Sequence, residues 1–585
     1  MARSLAAARN DDAELLAEIE AWYRHELAQP AQLPKLQWDP VRIGPTWQTD
    51  GKYWLLPEHT LGWGVLAWCG RWLQLQRGEP WRFTLEQARW LLWWYAIDAD
   101  GRFLYRDGVL QRLKGWGKDP LGACLGLAEM LAPVRFADWD RGQPVGTDVP
   151  NAWVQIAAVS LEQTKNTMRL LPSLPTDEAK ARFGLQIGKE QVYALGDERF
   201  LQAVTSSPST LEGARATFTL MNESHHWLEN NQGWDMAAVI ERNATKSAGG
   251  SARTLRITNA FEPGEDSVAE HDRELYEKVE AGEAVDVGLL YDSLEAPPEA
   301  PLTPEAAPSV VEAIRGDSVW LDTTSIVKSI LDIRNPPSRS RRFWYNQIVA
   351  AEDAWADPQQ WDALSAPDQL VLPDEPIVAF FDGSKSDDST GLVGCRLSDG
   401  HVFVIDCWSK PPGERGKGWI VPRGEVDAAV TAMFDAYKVT AFFGDPSDTL
   451  DDETGERFWE SLLDDWHRRY GPQLKLWATQ SGDRRHSIAW DMRAPDRQRQ
   501  FTEAAEQFIA DMAAGLFTHD GDLRLRQHVR NARRRPNKYG ISLGKEHRES
   551  ARKVDLAVCA VGARMLRRLV LNKDTGTRQR SGKVW

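Results

Sequence analysis

Between residues 103 and 258, short apolar β-type runs alternate with polar or helix-forming stretches, and this pattern narrows the possible folds more than any other. The runs at 108–113, 153–159, 217–221 and 254–258 are each followed by polar or helical sequence. Strands separated in this way are joined by crossovers, so the order predicts an α/β domain with a largely parallel sheet. At 585 residues the chain is too long for one ordinary core, and a second domain is expected.

A different pattern follows. The stretch 296–308 is rich in Pro and Ala and acidic, which reads as an exposed loop or linker. Helical sequence containing Arg341 to Asn346 comes next, and Pro-punctuated polar sequence at 366–376 marks the domain boundary. The second domain opens with a strand at 377–381 ending in Asp382. Runs at 391–397 and 401–408 flank Ser398-Asp399-Gly400, a hairpin signal. A helix over 425–437 leads to a strand at 439–443 and Asp445; a helix near 458–469, a strand at 474–478 and a final helix over about 550–569 complete the series. Three antiparallel strands followed by alternating helices and strands is the order of an RNase H-like fold. The layout is an N-terminal helical extension (1–60, with an amphipathic helix at 11–28), an α/β domain (61–310), a lid or linker region (311–375), an RNase H-like domain (376–570) and a flexible basic tail (571–585). There are no internal repeats.

Composition limits the classes. The net charge of −15 argues against a strong, uniform grip on DNA, but Asp and Glu crowd 262–312 while 524–580 is rich in Arg and Lys. Apolar runs are too short to span a membrane, and Met1-Ala2-Arg3-Ser4 opens no signal peptide. The five cysteines are scattered with no CxxC pair, which fits a reduced compartment and no zinc site. The Trp-dense segment 54–94 reads as packing mass.

Arg112-Leu113-Lys114-Gly115-Trp116-Gly117-Lys118-Asp119 stands between a strand and a helix over 120–131. Glycines let backbone approach a phosphate, the helix N-terminus offers N–H donors, and a lysine neutralises the β/γ oxygens. The usual first glycine is missing and Asp119 replaces the Ser or Thr that would touch Mg²⁺, so a structural Gly-rich turn is the alternative. Downstream, an apolar strand ends in Asn222-Glu223, where a carboxylate could polarise the attacking water. Asn222 replaces the usual aspartate. His225 and His226 are either packing histidines or part of a metal pair that lacks a correctly spaced third ligand.

With these motifs the chain resembles the large terminase subunits of actinobacteriophages. The resemblance is carried by Glu212-Gly213-Ala214-Arg215, by Asn222-Glu223-Ser224-His225-His226-Trp227, and by Leu255-Arg256-Ile257-Thr258-Asn259-Ala260 with Pro263-Gly264-Glu265-Asp266-Ser267, similar to that family's coupling motif. Trp81-Arg82-Phe83-Thr84-Leu85-Glu86-Gln87 resembles its adenine-recognition segment. The resemblance covers nearly the whole chain. It implies a P-loop ATPase (ASCE-type) domain followed by an RNase H-like nuclease. It also implies ATP and Mg²⁺ on the Gly115-Gly117-Lys118-Asp119 loop, with Arg112 or Lys114 adding charge. Gln87 would read the base, Glu223 act as base, Asn222 stand on the metal side, and Thr258 or Asn259 sense the γ-phosphate. Arg215 is either a finger acting on a neighbouring subunit's site or a solvated arginine.

Cleavage with two Mg²⁺ or Mn²⁺ ions about 4 Å apart needs converging carboxylates. Asp382 and Asp445 end strands that neighbour each other in an RNase H-like sheet, and Asp555 sits near the start of an otherwise apolar helix. All three match the terminase nuclease motifs. Asp387 and Asp388 are auxiliary ligands or turn residues, Asp406 is structural, and Lys545 is a phosphate contact or a surface residue. Arg530, Arg533, Arg534, Arg535 and Lys538 form a basic stretch that either contacts DNA backbone or is a solvated loop.

The reading is a packaging motor in the host cytoplasm, transiently on the prohead portal and outside the mature virion. It would move viral double-stranded DNA and cut concatemers. The resemblance implies a portal protein, a small terminase subunit and a homo-pentamer as partners. A nuclease-coupled helicase or repair ATPase, and a DNA-binding scaffold with a decayed ATPase, are the rival readings.

Overall fold

The computed structural model describes residues 2–31, 36, 38–205, 211–247, 251–332, 334–349, 353–411, 416–447, 449–451, 455–479, 485–546, 550 and 552–581. The chain divides into two compact units, Met1–Val349 and Ala350–Trp585.

The first unit holds a nine-stranded sheet: β1 (Val41–Ile43), β2 (Asp107–Gln111), β3 (Trp153–Ala158), β4 (Gln186–Ile187), β5 (Gln191–Ala194), β6 (Arg199–Thr205), β7 (Phe218–Asn222), β8 (Arg253–Thr258) and β9 (Leu289–Glu295). Its order is β1-β9-β2-β8-β7-β3-β6-β5-β4. The six strands from β9 to β6 run parallel, while β1 and the β5-β4 ribbon close the edges antiparallel. Every residue of β7 and β8 is buried, as expected of strands covered on both faces. β8 is inserted between β2 and β7, which is the ASCE arrangement of a P-loop ATPase. Register puts Gln111 beside Thr258, and Ile257 beside Asn222, so the loops after β2, β7 and β8 leave one rim of the sheet.

Trp68, Trp72, Trp90 and Trp94 are buried in this unit's core, with Trp90 stacked on Trp94, which bears out packing as the role of the Trp-dense segment. The helices Ala307–Ile314, Thr323–Ile330 and Pro337–Trp344 also belong here, anchored by Ile314, Ile326 and Ile330. The division therefore falls inside the 311–375 stretch: residues up to 349 pack on the first unit, and Trp355 and Trp361 stack on Phe508 in the second. The N-terminal stretch contributes the helix Ala2–Leu27 and, through β1, an edge strand of the main sheet. Among the described residues no helix is long and apolar enough to cross a membrane.

The second unit is built on β10 (Pro376–Asp382), β11 (Thr390–Arg396), β12 (Val402–Trp408) and β13 (Lys438–Asp445), in the order β12-β11-β10-β13. β10 to β12 form an antiparallel meander and β13 joins β10 in parallel, which is the RNase H-like order. The long helix Asp555–Ser581 lies across β10 and β11. Gly562 permits this closeness, since a Cβ there would stand 2.3 Å from the Phe380 ring. No strand forms at 474–478. Leu474, Leu476 and Ala478 are buried in alternation as a strand would bury them, but the segment holds on through single bonds, Lys475 N to Thr440 O and Ala478 N to Ser487 O. The flexible tail expected from 571 is corrected as far as Ser581, because 571–581 continue the helix Asp555–Ser581; 582–585 lie outside the described residues.

Candidate functional site

The loop after β2 turns into the helix Lys118–Leu131 through Gly117, whose φ of 104° is a conformation side chains rarely adopt. Lys118 opens that helix and folds back, donating from Nζ to the carbonyls of Arg112 (2.9 Å) and Leu113 (3.1 Å). Burial lowers its ammonium to about 8, against the opposing influence of Glu223 and Asp119. Lysine and glutamate thus sit within electrostatic reach of each other across β8. Glu223 leaves β7 with a φ of 57°, costly for a residue with a Cβ, and its N–H donates to Ile257 O at 2.8 Å. His225 and His226 place their Nε2 atoms 3.6 and 3.7 Å from its carboxylate.

β8 ends on the same rim. The Thr258 hydroxyl lies 3.0 Å from His225 Nδ1 and accepts from His225 N at 3.2 Å. Burial, with His226 beside it, holds the His225 ring neutral by lowering its pKa well below the usual histidine value. Asn259 Nδ2 donates to Arg112 O at 2.9 Å, tying the end of β8 to the loop. Gln87 caps the helix Leu85–Trp94 in a reciprocal pair with Thr84, and its Nε2 stands 3.3 Å from where a Cβ of Gly117 would be. Lys114 is exposed over the Phe343 ring, Gly115 offers its carbonyl to Trp320, and Arg215 is exposed on the loop before β7.

Arg112 does not join the loop's charges. Its side chain is fully buried, pairs with Glu86 at 2.9 Å and with Asp292, and donates to Asp292 O at 3.0 Å. A guanidinium with two carboxylate partners under the loop is a structural group and corrects the expectation of a phosphate contact. Two residues escaped the sequence reading. Trp320, 53 % exposed, donates its indole N–H to Gly115 O at 2.9 Å. Thr167 donates its hydroxyl hydrogen to Asp119 Oδ1 at 3.2 Å. Neither stands in a recognisable motif.

In the second unit, β10 and β13 bring Asp382 and Asp445 into register as direct neighbours. Asp555, at the start of the long helix, accepts from Ser389 N at 3.3 Å. Asp382 has its carboxyl pushed well up, first by burial and then by Asp555 and Asp445; burial raises Asp445 to about 6 and also raises Asp555. Three carboxylates whose pKa values burial raises offer the all-oxygen donor set that suits hard divalent ions such as Mg²⁺ or Mn²⁺. Asp388 pairs with Lys545 and, at 3.0 Å, with Lys553, while Asp387 pairs with Lys410 at 3.0 Å. Lys545 is also within the influence of Asp382 and Asp555.

The basic stretch is split by the fold. Arg530 and Arg533 are each 5 % exposed and pair with Asp362 (2.7 Å) and Asp353 (3.6 Å). Their charges are neutralised within the unit. Arg534, Arg535 and Lys538 are exposed on the hairpin Arg533–Asn537/Gly540–Gly544 and are the side chains a phosphate could reach.

A pH effect follows from the raised carboxyls. A carboxyl whose folded pKa exceeds its unfolded value binds protons in the native state, so its protonation stabilises the fold. For Asp445 that contribution is present below about 4 and is lost as pH rises toward about 6. In EDTA the second unit should therefore weaken through this window, and added Mg²⁺ should stabilise it little at pH 5 and strongly at pH 7. Thermal denaturation with and without Mg²⁺ measures this; an equal Mg²⁺ shift at both pH values would contradict it.

No protein-family model matches the chain. It is 40% identical over 579 residues to the gene 13 protein of Mycobacterium phage L5, covering 89% of this chain and 94% of that protein. The gene 13 protein of Mycobacterium phage D29 is 40% identical over 580 residues with the same coverage. Among solved structures, the HK97 bacteriophage large terminase aligns at 15% identity and a TM-score of 0.45 over 87% of this chain and all of that one. The large terminase nuclease of thermophilic phage G20c with bound magnesium aligns at 12% and 0.24, over 37% of this chain and 97% of that one.

Proposed function

The chain belongs to the family of the mycobacteriophage gene 13 proteins, and we propose that it is a tailed-phage large terminase subunit, coupling ATP hydrolysis to double-stranded DNA packaging and cutting concatemers with its second unit. The observation that carries this reading is the pairing, in one chain, of a P-loop rim with a base and a three-carboxylate site on an RNase H-like sheet. ATP with Mg²⁺ would lie against Gly115, Gly117 and Lys118, with Glu223 taking the proton of the attacking water. Gln87 and Thr258 or Asn259 would report the base and the γ-phosphate. Arg215, exposed before β7, would act on a neighbouring subunit's nucleotide. Asp382, Asp445 and Asp555 would hold the nuclease metal ions, which supply charge stabilisation and an activated water. Arg534, Arg535 and Lys538 would lie along the DNA backbone.

As a motor, the protein would work as a homo-pentamer on the portal with a small terminase subunit, in the host cytoplasm and outside the mature virion. Its retained lysine and glutamate speak against a scaffold with a decayed ATPase. ATP hydrolysis by the full chain, with and without double-stranded DNA, tests the reading. Stimulation by DNA is expected, and no hydrolysis in either condition would overturn it.

A further inference from the structure

The two departures from the usual P-loop pattern are in contact. Asn222 Nδ2 donates to Asp119 Oδ1 at 3.0 Å, although the residues are 103 positions apart in the chain. The same amide donates to Thr167 Oγ1 at 3.2 Å and to Gln163 O at 3.3 Å. Thr167 itself donates to Asp119 Oδ1 at 3.2 Å. Both donors therefore meet one oxygen of Asp119 and leave Oδ2. Gln163 also carries a buried side-chain oxygen with no hydrogen bond among the described residues.

Resting on the ATPase reading above, we propose that Asp119 supplies the carboxylate for the nucleotide's Mg²⁺, and that Asn222 has become its positioning partner. An ordinary site has a hydroxyl in the loop and a carboxylate at the end of the strand. Here the carboxylate has moved to the loop, and an amide stands at the strand end with a threonine hydroxyl beside it. The donor set is all oxygen at Asp119 and Thr167, which suits a hard cation. The exchange also explains Asn222. An aspartate there would put two carboxylates in hydrogen-bond contact, and one would be forced to hold a proton. The amide instead donates to Asp119 and orients it. The first turn of the helix Lys118–Leu131 favours a carboxylate as well.

The test is ADP affinity of the full-length chain by calorimetry, in Mg²⁺ and in EDTA. Asp119→Asn is expected to cut the strengthening by Mg²⁺ about tenfold or more. Affinity in EDTA should hold or rise, because a carboxylate no longer repels the phosphates. The double exchange Asp119→Ser with Asn222→Asp restores the ordinary arrangement and should recover the Mg²⁺ strengthening to within about threefold. Full Mg²⁺ strengthening in Asp119→Asn would overturn the proposal. So would loss of binding in both buffers by Asp119→Asn that the double exchange does not repair. A wild type that binds ADP in neither buffer would overturn the ATPase reading itself, and this proposal with it.

Discussion

Replacing Asp382 by asparagine should abolish metal-dependent cleavage of plasmid DNA while ATP hydrolysis continues. Asp382 sits in register with Asp445 on the neighbouring strand and within the electrostatic reach of Asp555. Loss of one carboxylate from such a site removes several kcal/mol of transition-state stabilisation, about a thousandfold in rate. Asparagine keeps the volume, so the sheet and the buried Phe380 and Phe381 are undisturbed. The variant also carries a signature that mere unfolding cannot give. With one like charge gone from a crowded site, it should melt higher than wild type in EDTA, and it should gain less from Mg²⁺ or Mn²⁺. Cleavage in Mn²⁺ at the wild-type rate would rule out Asp382 as a metal ligand.

The strand ends that carry this site were legible because apolar runs end where the chain must turn, and Asp382 and Asp445 stand at those ends. Asp555 was readable as a charge at the head of an apolar helix. The 474–478 segment shows the limit. Alternating burial of Leu474, Leu476 and Ala478 reproduces a strand's side-chain period, yet the ladder of backbone bonds is absent. Periodicity reports which side chains are buried, whereas ladder bonds depend on a partner strand elsewhere in the chain.

The same reasoning explains Arg112. Beside two glycines and a lysine it looks like a phosphate contact, but its partners Glu86 and Asp292 lie 26 and 180 residues away. Local sequence carries no record of that triad. Arg530 and Arg533 are likewise indistinguishable from Arg534 and Arg535 until Asp362 and Asp353 are placed against them. The link between Asp119 and Asn222 is of this kind too: each residue alone reads as a defect, and only their contact shows the two as one change.

Glu223→Gln should separate nucleotide binding from hydrolysis. A general base contributes about a hundredfold to ten-thousandfold, so DNA-stimulated ATP hydrolysis should fall by that range while ADP and ATP still bind. The backbone gives reason to expect so clean an effect. Glu223 is held at a φ of 57° by its N–H bond to Ile257 O and by the turn Ser224–His226, so a glutamine occupies the same place and loses only its ability to take a proton. Lys118→Ala is the complementary variant. Lys118 now donates to two loop carbonyls, Arg112 O and Leu113 O, and a phosphate entering the loop would compete with those carbonyls for the ammonium's N–H groups. Removing the ammonium should therefore weaken binding itself as well as hydrolysis. If Glu223→Gln lost binding as severely as Lys118→Ala, Glu223 would be a structural support of the loop and the base would have to be sought elsewhere. If Glu223→Gln hydrolysed ATP at the wild-type rate, no role for it in proton transfer would survive. Retained binding with lost hydrolysis is the one result that places the proton acceptor on Glu223, because charge and geometry are separated by a single atom.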